Sequence, residues 1–276
     1  MPAYDSLPPV SDFIRRHGLN ALKSLGQNFI LDLNLTDRIA RQVPDIKGSL
    51  VCEVGAGPAS LTRALLKNGA AKVVAVEFDR RAVGVLEEVA AAFPGRLEVI
   101  QADALKVDYE KLAKAAAADG LDFRICANLP YNISVPLLLE WLYCGQAIAS
   151  QTLMFQREVG ERIVARPRSK DYSRLSILAQ TMTRPKILFD VARTSFTPQP
   201  RVNSCIVQLT ARPDAPDEAT LEKLEIIAKE AFSERRKMIR TTLAPYVDEL
   251  MKLGIPLSAR AEEISPEKFL ALARAV

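Results

Sequence analysis

Five short apolar runs separated by segments of helical periodicity constrain this chain more than any other feature. They occupy residues 50–54, 72–78, 97–102, 123–128 and 152–155. Each is nearly continuous in Val, Ile, Leu, Phe and other apolar residues, the pattern of a strand covered on both faces. Between the first two, residues 61–66 set their apolar side chains at helical spacing. Strands alternating with helices predict an α/β fold: a parallel sheet with crossover helices on both faces. Two further runs, 187–192 and 205–209, have no helical pattern between them and are expected to pair antiparallel at one end of the sheet. Then Arg212-Pro213-Asp214-Ala215-Pro216-Asp217 reads as a linker, and the remaining chain is helical in pattern with no strand candidate. The expected division is an α/β domain over 1–212 and a small all-helical domain over 213–276, its helices beginning near Asp217. The Ala-rich stretch 113–118 reads as helix.

The turn after the first run, Glu53-Val54-Gly55-Ala56-Gly57-Pro58-Ala59-Ser60, leads from strand to helix. Its glycines let a ligand approach the backbone, although such a turn can also be no more than a tight connection. The acids around it decide. Glu77 ends the next strand, where a carboxylate can accept from ribose hydroxyls, and Asp103 ends the third, placed for the adenine end of the same ligand. Either one alone could be a solvated strand-end carboxylate. A dinucleotide enzyme is the competing reading, but its third glycine would fall at Ser60, and Glu53 stands where that fingerprint has an apolar residue. The pattern favours S-adenosylmethionine.

Asn128-Leu129-Pro130-Tyr131 follows the fourth run, at the strand end where open α/β sheets bind ligands. An aromatic amine is a poor nucleophile because its lone pair is delocalised into the ring. A catalyst must therefore hold that nitrogen in line with the methyl group and bias its lone pair out of the ring plane. Acceptors aimed at the amino hydrogens do this. The side-chain oxygen of Asn128 and a backbone carbonyl, that of Leu129 or Pro130, have the right chemistry, and Tyr131 can stack on the base. The alternative is an ordinary strand-ending turn. Phe196, in the Pro-rich segment between the last two runs, could close a stacking sandwich on a flipped base or could simply pack in the core.

Composition sets the outer bounds. The chain has 276 residues, 49% hydrophobic and 25% charged, enough for one large domain and a small one. A net charge of +4 permits a polyanionic partner without demanding one. With His17 the single histidine, neither a Ser-His-Asp triad nor a His-rich metal site is easily built, and no metal is expected. Cys52, Cys126, Cys144 and Cys205 form no CxxC pair and read as reduced thiols of a cytosolic protein. Residues 1–16 lack the apolar stretch of a leader peptide, and the longest uncharged runs, 125–139, which contains Pro130 and Pro136, and 141–156, are too short and too polar to span a membrane. A cytoplasmic location without membrane attachment is expected. The sequon at Asn132-Ile133-Ser134 then carries no weight.

On these residues the chain resembles the ribosomal RNA adenine N6,N6-dimethyltransferases, in particular the bacterial branch that modifies two adjacent adenines in the 3′-terminal hairpin of 16S rRNA. Lys23-Ser24-Leu25-Gly26-Gln27-Asn28-Phe29-Ile30 looks like that family's amino-terminal cofactor motif. The resemblance puts Asn28 and Ile30 at the cofactor, together with Gly55, Glu77, Asp103 and Asn128. The segments 156–163, 196–204 and 235–240 are similar in order and spacing, while Ala59 replaces a frequent third glycine and Met238 a frequent Thr. It implies a Rossmann-like class I methyltransferase sheet, a helical C-terminal domain, an immature small ribosomal subunit as partner and a monomeric state. The cluster Arg235, Arg236, Lys237 and Arg240, with Arg201, could contact phosphates or could be solvated. A 23S rRNA adenine dimethyltransferase, a DNA adenine methyltransferase and a mainly non-catalytic assembly factor are the alternatives.

Overall fold

The computed structural model describes residues 7–234 and 236–276, with Lys23 described by its backbone alone. Its strands are β1 (Phe29–Ile30), β2 (Ser49–Val54), β3 (Lys72–Glu77), β4 (Leu97–Gln101), β5 (Asp122–Asn128), β6 (Ser150–Gln156), β7 (Thr183–Val191), β8 (Phe196–Thr197) and β9 (Ser204–Ala211). The helices are α1 (Val10–Arg16), α2 (Leu33–Ala40), α3 (Ser60–Lys67), α4 (Arg80–Ala92), α5 (Tyr109–Ala118), α6 (Tyr131–Tyr143), α7 (Arg157–Val164) and α8 (Arg174–Met182). The C-terminal region adds α9 (Glu218–Ala231), α10 (Ile239–Thr242), α11 (Val247–Lys252) and α12 (Pro266–Ala275).

Seven strands form one sheet in the order β4-β3-β2-β5-β6-β9-β7. β4 to β6 run parallel; β9 pairs antiparallel with both β6 and β7, as the last two apolar runs anticipate. Alternate residues of each strand enter opposite layers. Leu50, Cys52, Val54, Val74 and Val76 pack with α5, α6 and α8, whereas Val51, Val73, Ala75, Cys126 and Met154 pack with α2, α3 and α4. Close packing explains Gly160 on α7: a Cβ there would stand 2.3 Å from the Cys205 sulfur on β9.

The chain builds β2, β3 and β4 outward in one direction and then returns to place β5 on the other flank of β2. That reversal opens a crevice beyond the carboxyl ends of β2 and β5, the place where open α/β sheets take ligands. Helix caps follow the sequence chemistry. Asp79 caps α4 by accepting from the Arg81 amide at 3.0 Å, and Asp217, at the end of the turn-rich linker, caps α9 by accepting from Thr220 at 2.9 Å.

No strand follows Ala211 among the described residues. The C-terminal helices close on the sheet's helical layer, with Leu221, Leu224, Phe269 and Leu272 in the same apolar core as Trp141 and Ile177. The Tyr172 hydroxyl donates to the Ile264 carbonyl at 2.8 Å across that junction. Among the described residues no helix is long and apolar enough to cross a membrane.

Candidate active site

A cavity of about 230 Å³ fills the crevice. Its walls come from the turn after β2, the ends of β3, β4 and β5, and the N-terminal segment crossing over them. Gly55, Glu77, Asp103, Asn128, Leu129, Pro130, Tyr131 and Asn28, all singled out from sequence, line it together. Two expected residues do not. Ile30 is buried beneath the cavity, and its neighbour Phe29 faces the space instead. Phe196 is only 3% exposed, paired with Ile30 in the β1–β8 ribbon and packed in the core. Of the two alternatives for Phe196, this structure shows the core-packed one, and the residue is not part of the cavity lining.

The turn has the backbone a ligand cradle needs. Gly55 and Gly57 have φ of +72° and +53°. A Cβ on Gly57 would press on the Phe29 ring at 3.1 Å, and one on Gly55 would meet Pro130 at 3.5 Å, so the glycines keep open a space that side chains would fill. Ala59, where a third glycine is frequent, also lies in the left-handed region at φ +64°. Its strain of about 1–2 kcal/mol is offset in part by complete burial of the residue.

Glu77 holds this turn together. Its carboxylate accepts from the Gly57 amide on one oxygen (2.8 Å) and from the Phe78 and Asp79 amides on the other (2.8 and 2.9 Å). Burial raises its pKa, against the pull of those three amides. A carboxylate offers about four acceptor sites, so three amides do not exhaust it and acceptor capacity remains for a ligand hydroxyl. Glu53, fully buried, is pushed up to about 8 by burial. Asp103 uses one oxygen to accept from the Leu105 amide at 3.1 Å, which orients its carboxylate at the cavity wall.

Beside the turn, the Asn128 side-chain amide donates to the Asn28 carbonyl at 3.2 Å. This assigns its NH₂ to the N-terminal segment and leaves the side-chain oxygen as the acceptor. The Pro130 carbonyl already accepts from the Ile133 amide at 3.2 Å where α6 begins. Tyr131 is half-buried, its hydroxyl hydrogen-bonded to Ser204 Oγ at 2.7 Å, and burial raises its pKa.

Several contributors escape sequence reasoning. Gln27 accepts from the Leu22 amide at 2.9 Å and donates to Asp79 at 3.0 Å, and Arg81 donates to the Gly18 carbonyl at 3.0 Å; together they strap the N-terminal segment over the cavity. Burial of Asp79 is outweighed by its hydrogen bonds from Arg81 and Gln27, which hold its carboxyl below the usual range. Gln27 and Ser204 lie inside motifs already noted, but nothing local shows what they reach. Of the basic cluster, Arg235 lies outside the described residues, and Arg236, Lys237 and Arg240 are exposed, with Lys237 paired to Glu234 at 2.9 Å.

A nucleoside-sized crevice at the switch point of a seven-stranded sheet, walled by an Asn-Leu-Pro-Tyr turn, defines a methyltransferase of class I architecture. Comparison with known proteins narrows this. Residues 18–276 match the family described as ribosomal RNA adenine dimethylase, and the chain belongs to that family. It is 51% identical to the ribosomal RNA small subunit methyltransferase A of Azorhizobium caulinodans, over 100% of this chain and 95% of that one. It is 50% identical to the protein of the same name from Mesorhizobium japonicum, over 99% of each. Among solved structures, a dimethyladenosine transferase from Plasmodium falciparum shares the fold at 24% identity and TM-score 0.75, over 87% of this chain and 94% of that one. The 23S rRNA methyltransferase ErmE is similar at 26% identity and TM-score 0.66, over 90% and 98%.

Proposed function

We propose that this chain uses S-adenosylmethionine to dimethylate the N6 amino groups of two adjacent adenines in the 3′-terminal hairpin of 16S rRNA, acting as a cytoplasmic monomer on an immature small subunit. The observation that carries this is the joining of Asn128-Leu129-Pro130-Tyr131 to the glycine cradle in one cavity. Full-length relatives at about half identity, named as small-subunit rRNA methyltransferases, support the choice of RNA.

The residues fit the donor. Gly55 and Gly57 leave backbone open to it, Glu77 keeps one acceptor site for a ribose hydroxyl, Asp103 faces the adenine end, and Asn28 borders the space. When bound, the donor supplies an electrophilic methyl group on a positively charged sulfur.

The chain's own part is positioning and polarisation. The Asn128 oxygen accepts from one N6 hydrogen. The Leu129 carbonyl is favoured for the other, because that of Pro130 is engaged by Ile133. Two acceptors on the amino hydrogens turn the nitrogen lone pair away from the ring and toward the methyl carbon. Tyr131, steadied by Ser204, lies against the base. Asn128 cannot take up a proton, so the displaced N6 proton leaves to solvent. In this reading residues 1–212 carry the chemistry and the helices of 213–276 extend the RNA-facing surface.

The test is incubation of the purified protein with labelled S-adenosylmethionine and small subunits lacking the hairpin methylation, with product mapping by mass spectrometry. Two neighbouring dimethyladenosines near the 3′ end are expected. Transfer to 23S rRNA instead would move the assignment to the large subunit. Absence of transfer, with retained binding of immature particles by Asn128→Ala protein, would favour an assembly factor.

A further inference from the structure

A second cavity, of about 520 Å³, opens where β6 passes into α7 and where the loop preceding β9 returns. Its walls include Gln156, Arg157, Glu161, Arg193, Arg201 and Asn203. We propose that it holds a backbone phosphate of the nucleotide flanking the target adenine, gripped by Arg193 and Arg201. This rests on the RNA reading above.

The three arginines are not equivalent. Arg157 is neutralised by Glu161 at 3.0 Å and by Asp190. Arg193 and Arg201 are exposed at the cavity wall, and among the described residues neither has an ion-pair partner. Their loop is nonetheless held: the Asn203 side-chain oxygen accepts from the Arg193 amide at 3.1 Å, while its carbonyl accepts from the Arg157 amide at 2.9 Å. One asparagine thus ties the two walls together and presents two free guanidinium groups over a fixed opening. A planar fork of N–H donors matches phosphate oxygens, and charge-assisted bonds of this kind are stronger than neutral ones.

Position selects a nucleic-acid phosphate over other anions. Ser204, the residue after Asn203, holds the Tyr131 hydroxyl, and it pairs in register with Gln156 of the cavity wall. The cavity therefore begins where the wall for the target base ends. A base swung out of its stack into the first cavity carries its flanking phosphates along that wall. Arg193 and Arg201 act as positioning residues: they hold the strand while the amine sits at Asn128.

The test reads binding apart from methyl transfer. Fluorescein-labelled 3′-terminal hairpin RNA is titrated with wild-type, Arg193→Ala, Arg201→Ala and the double Lys variant across a range of KCl, and the cofactor dissociation constant is measured alongside. Each Ala variant is expected to weaken RNA binding several-fold and to flatten the log–log salt dependence, by at most about 0.7 for the single phosphate held, with cofactor affinity unchanged. The Lys variant, which keeps the charge, is expected to restore the wild-type slope. Ala variants with the wild-type slope, Lys variants that behave like Ala, or no RNA binding by the wild type each overturn the proposal. Methyl transfer with an unaltered slope would leave the proposed function standing and remove only this site.

Discussion

Asn28 lends its main-chain carbonyl to the side-chain amide of Asn128, 3.2 Å away, so the N-terminal segment determines which end of that amide faces the cavity. Removing the acceptor is expected to reach chemistry rather than donor binding. Asn128→Ala should lower single-turnover methylation by about 10²–10³-fold, the scale of one lost oriented partner of the reacting group, while the calorimetric cofactor dissociation constant stays within a few-fold. Wild-type turnover would remove Asn128 from the reacting centre.

Glu77 should behave in the opposite sense. Replacing it by Ala strands the Gly57, Phe78 and Asp79 amides, two of them in buried hydrogen bonds, at a cost of about 1–3 kcal/mol for each that water does not reach. We expect a lower melting temperature and cofactor binding weakened at least tenfold by calorimetry. An unchanged dissociation constant in a folded Glu77→Ala protein would show that the carboxylate neither shapes the turn nor meets the donor.

Much of this arrangement can be read from residue order, and the unread parts trace either to the strand's setting in the sheet or to contacts distant in sequence. Strands buried on both faces are continuous apolar runs, so β2 to β5 emerge within a residue or two of their limits. β6 begins earlier than its run because Ser150 and Gln151 are polar yet buried. β7 begins at Thr183 rather than near 187, because an edge strand alternates exposed Arg184 and Lys186 with half-buried neighbours and tolerates Pro185. The inward turn of Phe196 depends on its pairing with Ile30, and the role of Ser204 on Tyr131. Contacts so distant in sequence leave no periodic trace.

Tyr131 offers a graded test of stacking. Tyr131→Phe keeps the ring and loses only the bond to Ser204, so methylation is expected to fall about threefold to tenfold, matching a hydrogen bond of about 1 kcal/mol. Tyr131→Ala removes the face of the base site and should fall well beyond that, as stacking on one aromatic residue contributes about 1–3 kcal/mol. Equal losses in the two variants would assign the residue's effect to its hydroxyl.

Glu53 predicts a stability that declines with pH. Burial lifts its pKa to about 8 from the ordinary value of 4.5. Between those values the folded chain binds more protons than the unfolded one, so stability falls as pH rises through that window and levels off above it. Glu53→Gln, neutral at every pH, should flatten this part of the urea-denaturation profile between pH 5 and about 9. A wild-type profile without a decline, or a variant with the same decline, would assign the buried carboxyl no such influence.

The pairing of β1 with β8 has a consequence for the order in which the protein is assembled on the ribosome. Phe29 and Ile30 leave the exit tunnel early, but their partners Thr197 and Phe196 follow only after the whole parallel sheet has been made. Until then the nascent chain carries the glycine turn and Asn128 without the ribbon that helps seat Asn28 beside them. Such late closure is typical of contacts with long sequence separation. Competence for methyl transfer is therefore expected only once residues 196 and 197 have been made.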